Sequence, residues 1–153
     1  MESTNKLRIE LCPLDALTPD PRNARTHSAR QLDLVAQSIR EFGFINPIII
    51  DEERNILAGH ARYAAAIREG MKEVPTVQIS HMTPTQKRAY VLADNKLAEL
   101  AGWDFDILAN EFGLLADEDL DFDIPREPRR LHHPTQAGQV DAAFAHQSPV
   151  IER

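Results

Sequence analysis

The residues best suited to chemistry in this chain are Gly59-His60-Ala61-Arg62, which follow the short apolar run Ile56-Leu57-Ala58. A strand that ends in glycine and opens a helix points the free N–H groups of the first helical turn outward, where they carry partial positive charge. An arginine in that turn adds a charge-assisted, often bidentate contact to a phosphate oxygen. The spacing describes a phosphate cradle, for a nucleotide or for a nucleic-acid backbone. The competing assignment makes Arg62 an arginine solvated on a helix surface. His60 has three readings at the helix start: a phosphate contact, an acid/base group near neutral pH, or a cap of the turn.

Elements must place these groups. Leu7 to Leu11 alternates and reads as an opening strand closed by Pro13, and Pro19-Asp20-Pro21-Arg22-Asn23-Ala24-Arg25 reads as loop. Ser28 with Gln31 starts a helix whose apolar face is Leu32, Val35, Ala36, Ile39 and Phe42, stopped at Gly43. Ile48-Ile49-Ile50 is a β-branched buried strand, residues 51–55 a turn, and Ile56-Leu57-Ala58 the return strand. The helix opened by Gly59 runs through Arg68 to Gly70, and residues 74–79 form a further strand with Pro75 near its start. Thr83-Pro84-Thr85-Gln86 caps a helix expected to turn Ala89, Tyr90, Leu92 and Ala93 inward, and Asp94-Asn95-Lys96 either continues or interrupts it. Asp104 caps a last helix with Ile107, Leu108 and Phe112, beside Trp103, expected as a core or staple residue. The order gives a small α+β domain over residues 1–116. Residues 117–153, acidic and then rich in proline and arginine, lack periodicity and read as a disordered tail.

Composition narrows the classes. A net charge of −7 argues against coating DNA by bulk electrostatics. Residues 1–116 hold 13 Lys+Arg against 16 Asp+Glu, and residues 117–153 hold 4 against 8, so the excess acid lies in the tail. Any phosphate site is therefore a local basic pocket, to which Arg22, Arg25, Arg30 and Arg62 can contribute. The single cysteine, Cys12, excludes an internal disulfide and a cysteine-based zinc site. His132-His133 has no third partner for a metal. No apolar run reaches the roughly 20 residues a membrane helix needs, so no membrane role is expected, and the cytoplasm is the simplest compartment.

Three stretches resemble, in order, the boxes of the ParB N-terminal domain, which shares its fold with sulfiredoxin: Ser38-Ile39-Arg40-Glu41-Phe42-Gly43-Phe44-Ile45-Asn46-Pro47-Ile48-Ile49-Ile50; Ile56-Leu57-Ala58-Gly59-His60-Ala61-Arg62-Tyr63-Ala64-Ala65-Ala66; and Ala93-Asp94-Asn95-Lys96-Leu97-Ala98. The resemblance covers roughly residues 7–103 and looks closest to ParB-like domains associated with DNA methyltransferases and with phage or plasmid DNA processing. It implies that Gly59, His60, Ala61 and Arg62 stand at the phosphates of a nucleoside triphosphate, CTP or ATP. Gly59 and Arg62 match the second box, whereas His60 replaces a glutamate and Ala61 an arginine. A lost charge-assisted contact of that kind is worth about 1.5–3 kcal/mol, on the order of tenfold to a hundredfold in affinity. Asp94 and Asn95 resemble the acid–amide pair that holds Mg²⁺, oxygen ligands suited to a hard cation; an Asx turn is the alternative. Arg22, Asn23, Arg25 and His27 resemble the segment before the first box, reaching over the nucleotide or touching DNA backbone, with plain surface charge as the alternative. Sulfinic-acid reduction is excluded, because His60 occupies the position of the sulfiredoxin cysteine.

The resulting expectation is a ParB-like domain of DNA metabolism (partition, modification or phage and plasmid processing) that binds a nucleoside triphosphate with Mg²⁺, DNA phosphates, or both. Weak NTP hydrolysis stays open. Two alternatives stand beside it: a metal-dependent nuclease with His60 and Asp94 as catalytic candidates, and a non-catalytic adaptor or specificity module for a DNA methyltransferase. Homodimerisation stays open, and the chain is either a stand-alone module or a piece of a longer fusion.

Overall fold

The computed structural model describes residues 7–23, 25–116 and 118. Apart from Glu118, the expected tail, with Asp117 and His132-His133, lies outside the described residues. The order is β1 (Ile9–Pro13), a 3₁₀ turn (Leu14–Ala16), α1 (Ala29–Phe42), β2 (Ile48–Ile50), β3 (Ile56–Ala58), α2 (His60–Arg68), β4 (Glu73–Gln78), α3 (Pro84–Leu100) and α4 (Phe105–Leu115). The strands make one mixed sheet in the order β1-β4-β2-β3, with β4 antiparallel to β1 and parallel to β2. This is the small α+β mixed sheet expected of the sequence.

Sequence alternation assigns the two sheet faces. One carries Ile48, Ile50, Ile56 and Val74, joined by Cys12, Leu14, Leu17 and Ala66; the other carries Leu57, Val77 and Ile79, joined by Val91 of α3. Ile48, Ile56 and Val74 are fully buried. Pro75 lies in the interior strand β4 opposite Leu11, just before the β2 ladder opens at Ile48 and Thr76, so its missing N–H leaves that ladder whole. Residues 51–55 turn as expected: the Arg54 amide donates to the Asp51 carbonyl at 3.1 Å, and Arg54 takes φ 64°.

Helix ends follow local chemistry. Ser28 Oγ accepts from the Gln31 amide at 3.1 Å, Thr83 and Gln86 form a reciprocal capping box, and Asp104 Oδ1 accepts from the amides of Asp106 and Ile107. The helix faces farther along differ from expectation. On α3 the inward side is Lys87, Tyr90 and Val91, whereas Ala89, Leu92 and Ala93 are exposed. The stretch is apolar at nearly every position, so its phase is set by where β3 lies and not by its own pattern. The helix also runs unbroken through Asp94-Asn95-Lys96. Trp103 is 65% exposed and so not a core residue, and α4 buries none of its side chains.

Candidate functional site

Strand β3 ends at Ala58, and Gly59 turns the chain into α2 with φ 104° and ψ 24°. That left-handed geometry strains any residue with a Cβ. A second constraint acts at the same place: a Cβ on Gly59 would stand 2.9 Å from Arg62 Nη2 and 3.3 Å from Ile48 Cγ1. The glycine therefore lets both the backbone turn and the guanidinium close in. It brings no side-chain cap, so the first-turn amides of His60, Ala61 and Arg62 stand outside the helical ladder.

Arg62 is not solvated on the helix surface. Its side chain folds back over Gly59, and Nη2 donates to the Pro47 carbonyl at 3.1 Å. Nε is buried without a hydrogen-bond partner, an arrangement that costs free energy unless an acceptor arrives. Burial lowers the guanidinium pKa, while Asp94 and Tyr90 raise it, so α3 faces this arginine with one carboxylate and one phenol. Burial likewise raises the Tyr90 hydroxyl, with Asp94 acting in the same direction and Arg62 against it. Tyr90 and Asp94 are four residues apart on one helix; Asp94 is among the expected site residues, whereas sequence reading did not connect Tyr90 to the cradle.

His60 is the first residue of α2. Its Nε2 accepts a hydrogen bond from the Asp20 amide at 3.2 Å, which brings the loop before α1 onto the helix start. Burial lowers the imidazole pKa below 6.5; the Asp20 carboxylate opposes that shift and His27 adds to it.

The remaining expected residues divide. Arg25 Nη1 donates to Asn95 Oδ1 at 3.4 Å, joining that loop to α3. Arg22 is spent on its neighbour, with Nε 3.5 Å from Asp20 Oδ1, and is largely exposed. His27 pairs with Gln31 at 3.3 Å. Arg30 is exposed. Asp94 and Asn95 leave the continuous helix about 100° apart, Asp94 acting on Arg62 and Asn95 held by Arg25. Among the described residues no group of three or more His, Cys, Asp or Glu is placed to hold a metal. A carboxylate and an amide oxygen are the hard donors that a Mg²⁺ would need, and the amide oxygen of Asn95 already accepts from Arg25.

Two clefts border these residues. A groove of about 470 Å³ is lined by Leu34, Val35, Ile39, Phe42 and Phe44 and reaches Arg62. A cleft of about 550 Å³ lies between Asp20 and Arg22 on one side and Asp51, Lys87 and Arg88 on the other.

Fold and site together define an α+β domain with a glycine-opened helix at the end of a sheet strand. The ParB N-terminal domain family model matches residues 1–96, and the chain belongs to that family. The chain is 44% identical over 85 residues to the ParB-like nuclease domain-containing protein YnaK of Escherichia coli, an alignment covering 56% of this chain and 98% of YnaK. It is 33% identical over 87 residues to the chromosome-partitioning protein Spo0J of Thermus thermophilus, covering 54% of this chain and 32% of Spo0J. Among solved structures, the C-terminally truncated chromosome-partitioning protein ParB from Caulobacter crescentus, complexed with CTP-gamma-S, superposes with a TM-score of 0.63 at 25% identity. That match covers 72% of this chain and 63% of the ParB chain. The chain is thus related to chromosome-partitioning proteins and spans about a third of Spo0J's length. Among the described residues no helix is long and apolar enough to cross a membrane.

Proposed function

We propose that this domain binds a nucleoside triphosphate together with Mg²⁺ at the start of α2, as a module of DNA metabolism. One observation carries the reading: the buried, partnerless Nε of Arg62 beside the open amides of His60 and Ala61. A phosphate oxygen is the acceptor that such a set of donors lacks. The groove that reaches Arg62 falls within the size range of small-molecule sites and has an apolar wall suited to a base. CTP is the first candidate, since the Caulobacter crescentus relative was crystallised with CTP-gamma-S. Asp94 and Asn95 would hold the Mg²⁺, which would neutralise phosphate charge when bound. DNA is the proposed larger partner, touched by Arg22 or Arg25 or reached through a partner such as a DNA methyltransferase.

The nuclease alternative would draw on His60 and Asp94. Attack on a phosphodiester commonly uses clustered carboxylates around two metals. Asp94 and Asp20 act on the cradle separately, the first on Arg62 and the second on His60, and no carboxylate cluster gathers there among the described residues, which favours binding over cutting. Calorimetric titration of Mg-CTP, Mg-ATP and Mg-GTP into the native chain and Arg62→Ala tests the reading. The expected result is binding of one nucleotide, weakened tenfold to a hundredfold in the variant. No heat of binding with any nucleotide on a folded native chain would overturn it.

A further inference from the structure

Residues 18–23 run past the helix start and are fixed at one end. The Thr18 amide donates to the Arg54 carbonyl at 3.0 Å, and its carbonyl accepts from the Ile56 amide at 2.8 Å. Beyond that point the segment turns on Asp20, whose Oδ1 accepts from the Arg22 amide at 2.9 Å and whose carbonyl accepts from the Asn23 amide at 3.1 Å. Among the described residues, the hydrogen bond that joins this segment to α2 is Asp20 N–H to His60 Nε2. An imidazole nitrogen that accepts carries no proton. Protonation turns Nε2 into a donor facing a donor, and the bond cannot persist.

The charged and titratable groups around His60 are few. From the loop come the Asp20 carboxylate and His27; on its own helix lies Arg62, drawn toward Pro47; and α3 presents Asp94 and Tyr90 toward Arg62. A second contact from the same stretch of chain, Arg25 to Asn95, places a guanidinium on an oxygen that the proposed function assigns to Mg²⁺.

We propose that the Asp20–His60 hydrogen bond is a latch: neutral His60 holds residues 18–23 against the start of α2, and protonated His60 releases them and adds a positive donor for an anion bound there. The latch concerns the free protein. Its coupling to an anion rests on the nucleotide-binding reading. By linkage, a bound polyphosphate and a protonated His60 favour one another, and the metal ion and Arg25 compete for Asn95. Because neutral His60 is the favoured form in the folded state, the stability this ring contributes is present above pH 6.5 and is lost as pH falls below it.

The test is residue-resolved nuclear magnetic resonance on the full chain from pH 4.5 to 8. The Asp20 amide and the His60 ring carbons are expected to titrate with one common midpoint below 6.5. Corrected solvent exchange of the Asp20 amide should speed about tenfold or more on the acid side, as expected when a local hydrogen bond opens. His60→Gln, which accepts without titrating, should keep that amide protected throughout, and His60→Ala should expose it at every pH. An Asp20 amide that ignores the His60 midpoint, or is equally protected in a folded His60→Ala, overturns the latch. Repeating the titration with Mg-CTP tests the coupling: the His60 midpoint should rise. A midpoint unmoved by a nucleotide that binds overturns the coupling. If Mg-CTP does not bind, Mg-ATP and Mg-GTP replace it; failure of all three overturns the proposed function and the coupling with it, while the titration of the free protein still decides the latch.

Discussion

The two halves of the candidate site are held in opposite ways. The Gly59–Arg62 half grows out of β3 and sits on Ile48 and Ile56, which are wholly buried. The Asp94–Asn95 half rides on α3, which reaches the sheet through Val91 and Tyr90 and then leaves Leu92, Leu97 and Leu100 exposed. One half is therefore set by close packing and backbone geometry, and the other by a few polar contacts between segments far apart in sequence. A ligand would find the first half ready and would have to secure the second.

The widest separation between the halves should appear on truncating their apolar residues. Ile56→Ala is expected to cost about 2–5 kcal/mol of unfolding free energy, whereas Leu100→Ala, at a side chain 80% exposed, should stay within about 0.5 kcal/mol. Urea denaturation measures both, and equal costs would break the comparison. Next comes Gly59→Ala, which forces a Cβ into the left-handed region and against Arg62; about 1–3 kcal/mol is expected. A smaller effect is expected at Asp51, which ties the β2–β3 turn to α3 through Lys87 Nζ at 3.4 Å. Burial alone would raise its pKa, but hydrogen bonds from Asn55 and Glu53 and the charge of Lys87 outweigh it and hold the carboxyl below 3.8. Its contribution is present above that value and is lost as pH falls through the lower folded one. Asp51→Asn should cost about 1 kcal/mol at neutral pH and flatten the acid limb of a melting-temperature profile. The smallest effect belongs to Arg25→Ala, within about 0.5 kcal/mol in stability, although the Asn95 side-chain amide resonances should shift as its partner goes.

Much of this was legible in the sequence because it is encoded locally. The glycine stops at 43 and 70, the glycine start at 59, and the caps at Ser28, Thr83 and Asp104 each depend on a residue and its near neighbours. The three boxes likewise located the family. What could not be read spans distance. Asp20 meets His60 across 40 residues and Arg25 meets Asn95 across 70, and no periodicity marks such pairs. The sequence leaves Arg62 between a phosphate ligand and a solvated arginine, whereas its half-buried position over Gly59 follows from β2 passing beside α2, a matter of topology. The outward turn of Ala89, Leu92 and Ala93 on α3, and of Trp103 where a core residue was one expectation, escaped the sequence for the same reason. An apolar residue signals a wish for burial, and only the neighbouring elements decide whether it is granted.

The tie between Lys87 and the Asp51–Glu52 corner also gives α3 the mechanics of a lever. The helix's last anchor on the sheet is the buried Val91, and Asn95 lies four residues on, about 6 Å along the axis. A tilt of about 10° about that anchor carries Asn95 by about 1 Å and the free end at Leu100, nine residues on, by about 2 Å. A small event at the cradle would thus be read out as a larger displacement of the far apolar tip.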